Sequence, residues 1–83
     1  MYHSGIIREK ERRDRLAERV RKLRDAQVMT QEDLASVSKV GRATVARIEA
    51  ATVDARASTI RKLAGALGVE PVELIEDRPL ELW

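Results

Sequence analysis

Between Thr30 and Ala50 the chain reads TQEDLASVSKVGRATVARIEA, and its apolar residues recur where two short helices joined by a tight turn bury them against each other. Leu34, Ala35, Val40, Val45 and Ile48 form the inward set, and all five are apolar. Ala35 has to be small, because the second helix crosses close to the first there and a bulkier side chain would push the crossing apart. A pass along the rest of the chain gives three further helices and no strand, so the expected class is all-α.

The surroundings resemble the Cro and phage-repressor type of helix-turn-helix domain, the XRE family, whose pattern runs approximately LTQEELAxxxGVSRSTISRIExG. The segment from Met29 to Ala35 matches its opening and the segment from Arg42 to Glu49 its close. The likeness extends from about Leu16 to about Ile75. It implies a compact five-helix, lambda-repressor-like fold with an extended N-terminal helix and a short C-terminal tail. Residues 1–15 are then a charged extension of helix one, 16–76 the helix-turn-helix domain, and 77–83 the tail. The implied partner is double-stranded DNA and the implied function transcriptional regulation. The family includes phage repressors, antitoxins and general regulators, so the resemblance leaves the biological role open.

Composition sets limits on these readings. Eighty-three residues support one small domain, and with Tyr2 and Trp83 as the two aromatics the core must be aliphatic. There is no cysteine, and no apolar run approaches the length of a signal-peptide core or a membrane span. A cytoplasmic protein with no membrane contact is expected. The formal charge of +2 hides an asymmetry. Glu70, Glu73, Glu76, Asp77 and Glu81 stand against Arg78 alone in residues 70–83, a balance of −4 that leaves +6 on residues 1–69. An acidic tail does not lie on phosphate, so the C-terminus should point away from a duplex.

Helix one is expected from about Ile7 to Asp25. Its second half buries Leu16, Val20 and Leu23, whereas REKERRDR has no apolar residue and cannot be held by a core. Glu9 with Arg13 and Glu11 with Arg15 are i,i+4 pairs in the favourable order, each contributing roughly 0.2 to 0.5 kcal/mol. This half is either a solvated extension or a place where Arg8, Arg12 and Arg15 touch phosphate or an acidic partner. His3 lies in an expected frayed terminus, Met1 to Gly5, and reads as solvated.

Thr30 is the expected N-cap of helix two, with Asp33 reaching back as a short-armed capping box. The resemblance implies that Gln31, in the first turn, bonds to a phosphate or a base edge; a purely structural Gln31 is the alternative. Lys39 stands where the family has glycine in a left-handed turn. It must adopt positive φ at a cost of roughly 1 to 2 kcal/mol or form a different turn. Gly41 occupies the N-cap of helix three, leaving a donor that a DNA phosphate can satisfy.

Helix three, Arg42 to about Ala50, is the candidate recognition helix. Burying Val45 and Ile48 turns Ala43, Ala46, Arg47 and Ala50 outward, with Arg42 and Thr44 on the flanks. Arginine matches guanine O6 and N7, and alanine lets a backbone sit deep in the major groove and touch thymine methyls. Arg42 and Arg47 are therefore the expected base readers, with phosphate-only contact as the alternative; Thr44 and Lys39 are expected on phosphate. The resemblance further implies a partly buried ion pair between Arg24 and Glu49.

Ala50-Ala51 replaces the family's Asn-Gly, so helix three either runs a turn further or stops near Thr52. Ala55-Arg56 replaces Pro-Ser, and with Asp54 as the nearest good cap helix four is expected to start early. Arg56 remains a candidate phosphate contact in that loop. Helix four should bury Ile60, Leu63, Ala64 and Leu67, with Arg61 and Lys62 solvated and Gly68 as its stop. Pro71 should open helix five, with Val72, Leu74 and Ile75 on one apolar side.

Leu80, Leu82 and Trp83 either fold back over helices one and five or meet a second copy, which would make a homodimer on two half-sites one helical turn apart. The expected function is a transcriptional regulator, a repressor acting as a dimer on a palindromic operator. The alternative is an antitoxin that also autoregulates its operon and uses the tail to hold a protein partner. Catalysis is not expected, because there is no cysteine, no phosphate-binding loop and no metal-ligand cluster. No cofactor or metal is implied.

Overall fold

The computed structural model describes residues 9–76. The expectations for His3, Arg8, the start of helix one at Ile7 and the tail 77–83 fall outside them. Five helices follow in order: α1 Glu9–Ala26, α2 Gln31–Ser38, α3 Arg42–Glu49, α4 Ala57–Leu67 and α5 Val72–Ile75. There is no strand among the described residues. The core is aliphatic: Leu16, Val20 and Leu23 of α1 meet Leu34, Val40, Val45, Ile48, Leu63, Ala64, Leu67 and Leu74, and Ala35 packs half-buried at its edge.

Thr30 and Asp33 form the reciprocal capping box of α2, the Asp33 N–H donating to Thr30 Oγ1 and the Thr30 N–H to Asp33 Oδ2, both at 2.9 Å. This bonding, from the Thr30 backbone first and its side chain second, holds the Asp33 carboxyl below the ordinary carboxylate range.

The helix ends follow one device with unexpected residues. α1, α3 and α4 each close with a Schellman pair. Met29 N–H bonds to Arg24 O and Val28 N–H to Asp25 O; Thr52 bonds to Arg47 and Ala51 to Ile48; Val69 bonds to Ala64 and Gly68 to Gly65. α2 closes with a single bond from Lys39 N–H to Ala35 O. All four motifs need a left-handed residue, and only α4 supplies glycine: φ is 57° at Val28, 64° at Lys39, 60° at Ala51 and 76° at Gly68. Lys39 thus takes the strained option of the two expected for it, and α3 stops at Glu49 rather than running on.

Val28 is β-branched and 90% exposed, so its conformation is strained with no packing in return. Relief of about 1 to 2 kcal/mol exceeds the roughly 0.4 to 1 kcal/mol that glycine gives back to the unfolded chain. Val28→Gly should therefore raise the thermal midpoint by several degrees in a calorimetric scan, and Val28→Ala by less.

Three expectations are corrected. Asp54 does not cap α4: Arg56 occupies the N-cap with no side-chain bond, and the helix begins only at Ala57. The Asp54 carboxylate instead lies 3.8 Å from both Arg12 and Arg13 of α1. In α5, Leu74 is buried while Val72 and Ile75 are 42% and 39% exposed. At 100° per residue, positions 72 and 75 share a side and 74 points the other way. Ile60 is half-buried rather than buried.

Two α1 arginines and the glutamine that follows the helix reach carbonyls at the ends of other helices, and a third arginine, Arg24, reaches one just past the end of α1 itself. Arg19 Nη1 donates to Glu73 O at 3.0 Å and Glu76 O at 2.6 Å, Arg21 Nη1 to Glu49 O at 2.6 Å, and Gln27 Nε2 to Leu67 O at 2.7 Å. Arg24 Nη1 donates to Met29 O at 2.8 Å. Each places positive or donor character at a helix C-terminus, where the backbone dipole favours it. α1 and Gln27 thereby fix the ends of α3, α4 and α5.

Candidate nucleic-acid interface

α3 presents a short face of small and cationic residues. Arg42, Ala43, Arg47 and Ala50 are exposed, Thr44 and Ala46 half-buried, and Val45, Ile48 and Glu49 buried. Ala46 is thus less outward than its helical position implied. Gly41 caps the helix at φ −58° with no side-chain bond, and a Cβ there would meet Thr44 Oγ1 at an ordinary 3.7 Å. Sterics do not require glycine at that position.

The Arg24–Glu49 contact is bidentate, with Nε to Oε2 at 2.7 Å and Nη2 to Oε1 at 2.8 Å. Glu49 is buried, and the Arg24 side chain is 14% exposed. Burial pushes the Glu49 carboxyl up. Hydrogen bonds from Arg24 and Gln31, with the charges of Arg24 and Arg21, outweigh this and hold it below the ordinary range. The same hydrogen bond to Glu49 raises Arg24.

Gln31 belongs to this cluster: its Nε2 donates to Glu49 Oε1 at 3.0 Å. A carboxylate only accepts, so the contact fixes which way the amide points. A second N–H and the carbonyl oxygen remain for another partner. The structural role foreseen as the alternative is therefore present in the unbound protein.

Arg56 and Lys62 of α4 and its N-terminal boundary line an open cleft of about 440 Å³ together with Thr44, Asp54, Ala55, Ser58 and Thr59. The cleft begins at the flank of α3 and ends on the second turn of α4. Among the described residues, no carboxylate pairs with Lys39, Arg42, Arg47, Arg56 or Lys62, whereas Lys10, Arg12, Arg13, Lys22 and Arg24 all have acidic partners. These five border α3 and the cleft; Arg61 of α4, which has no carboxylate partner among the described residues either, does not line it. No group of acidic residues or histidines among the described residues is arranged to hold a metal, and no described helix is long and apolar enough to cross a membrane.

A helix-turn-helix family model matches residues 20–74. The chain belongs to the Cro/C1-type helix-turn-helix family. It is similar to the restriction-modification controller protein C.AhdI from Aeromonas hydrophila, with 36% identity over 76% of this chain and 96% of that one and a TM-score of 0.73. It is also similar to the hypothetical transcription factor NHTF from Neisseria, with 29% identity over 90% of this chain and 86% of that one and a TM-score of 0.76. The search of curated proteins returned no match. Family and fold make this chain a DNA-binding transcriptional regulator.

Sequence reasoning missed Arg19, Arg21 and Gln27, the side chains that set the frame of the site. Their signal was faint: polar residues on the helix-one side otherwise expected to be solvated. Lys62, expected to be solvated, is exposed and also lines the cleft.

Proposed function

We propose that the chain is a sequence-specific reader of double-stranded DNA that represses transcription as a homodimer on a two-fold symmetric operator. The unpaired cations around the small face of α3 carry this reading. Alanines at 43, 46 and 50 allow close approach to base edges, and Arg42 and Arg47 stand beside them. Lys39, Thr44 and Arg56 take phosphate, and the free donor at Gly41 takes another. The dimer follows from the small footprint of one domain, and the tail 77–83 is the proposed contact between copies.

The likeness to a restriction-modification controller protein over 96% of that chain favours a narrower version, in which the operator controls a restriction-modification gene pair. Nothing observed favours an antitoxin.

Selection from a random duplex pool tests the reading. A two-fold symmetric site bound at least about 10³-fold tighter than scrambled DNA supports it. Affinity that follows salt alone, with no motif, overturns it. On the selected site, Arg47→Ala should cost about 1 to 3 kcal/mol and relax preference at one base pair, whereas Lys39→Gln should weaken selected and scrambled duplexes alike.

A further inference from the structure

The cleft between α3 and α4 contains one carboxylate, Asp54, among Thr44, Arg56 and Lys62. A carboxylate there opposes phosphate. Asp54 is about half-exposed, and the two cations nearest to it belong to the first turns of α1, Arg12 Nη2 and Arg13 Nη1, each 3.8 Å from Oδ2. These turns precede residue 20, where the family match begins, and contribute nothing to the apolar core before Leu16. Their internal pairs, Lys10 with Asp14 at 2.9 Å and Glu9 with Arg13 at 3.8 Å, keep them helical without holding them to the domain. Asp54 is thus the acidic contact by which this helical extension reaches the α3–α4 loop.

We infer that Arg12 and Arg13 are positioning residues for DNA binding: they neutralise Asp54 and hold the α3–α4 loop so that the cleft accepts a backbone phosphate. This rests on the DNA-reading function proposed above. Two cations beside one carboxylate leave a net positive corner, and they draw the Asp54 side chain toward α1, so that Arg56 and Lys62 dominate the field at the cleft. At 3.8 Å and half-exposed, such pairs are individually weak. Their effect is exerted on a charged ligand that arrives at the same place, and salt screens it.

The test is a cycle of full-length variants on the selected duplex, with folding checked by circular dichroism. Arg12→Gln with Arg13→Gln should weaken binding by about 2- to 5-fold, the range of an exposed ion pair. Adding Asp54→Asn to that variant should recover most of the lost affinity, because no carboxylate remains to be neutralised. Two outcomes overturn the inference. One is an unchanged affinity in the double variant. The other is a loss that Asp54→Asn does not restore, with a salt slope shallower by about 0.9 per lost contact, which means that the arginines touch phosphate themselves. A wild-type protein with no preference for any duplex is a separate result, and it removes the proposed function on which the inference stands.

Discussion

Glu49→Ala is expected to cost about 3 to 5 kcal/mol of folding free energy, a large part of the roughly 4 to 12 kcal/mol that a domain of this length has. The carboxylate is buried and receives Arg24 Nε, Arg24 Nη2 and Gln31 Nε2. Removing it leaves a guanidinium facing a space with no acceptor. Arg24 retains its bond to Met29 O and a 3.2 Å contact with Asp25, and 14% of its side chain reaches solvent. These outlets place the cost toward the lower end of the range. Arg24→Ala strands the more deeply buried partner and should be the worse of the two. Urea titration followed by circular dichroism measures both, and a loss below about 1 kcal/mol in either would show that the pair is not a structural anchor.

The same pair gives the domain an acid limit. Glu49 is held below its ordinary value in the folded state. Its contribution is therefore complete above the ordinary carboxylate value of about 4 and is lost as pH falls through the depressed folded value. Asp33 shifts in the same direction and adds to the slope. Stability measured between about pH 5 and pH 2 should fall for the wild type and fall less steeply for Glu49→Gln, which keeps an acceptor and cannot ionise.

Leu34→Ala should cost about 2 to 5 kcal/mol. Leu34 is fully buried in α2, which packs against both α3 and α4. Neighbours held by three helices cannot collapse into the space of three missing carbons, which favours the upper half of the range. The denaturation midpoint should drop while its slope stays constant, because the surface exposed on unfolding hardly changes. DNA affinity should fall only as the unfolded fraction grows. A full loss of binding at a temperature where the variant remains folded would mean that Leu34 does more than support the crossing of α2 and α3.

Much of the architecture was legible because its signals are local. Thr30 and Asp33 are three residues apart, and their capping box depends on side-chain chemistry alone. Leu34, Val40, Val45 and Ile48 fall on one side by helical period, and all four are buried. Arg42 and Arg47 face outward for the same geometric reason. The errors came where two local rules competed. Asp54 is a good cap by type, yet its charge finds Arg12 and Arg13 more than 40 positions away. Val72, Leu74 and Ile75 are all apolar, but a four-residue helix offers one of them to the core.

By itself, the sequence determined the helix-turn-helix pairing, the aliphatic core and the cationic outer face of α3, since periodicity and capping act within a few residues. Tertiary structure decided what closes the helices and what holds them together. Val28, Lys39 and Ala51 take left-handed conformations that their own side chains oppose, because a chain committed to packing four helices has to turn there. Arg19, Arg21 and Gln27 look like solvated residues until folding brings distant carbonyls within 3.0 Å of them. Their partners lie 28 to 57 positions away in the chain, a separation across which local propensity carries no information.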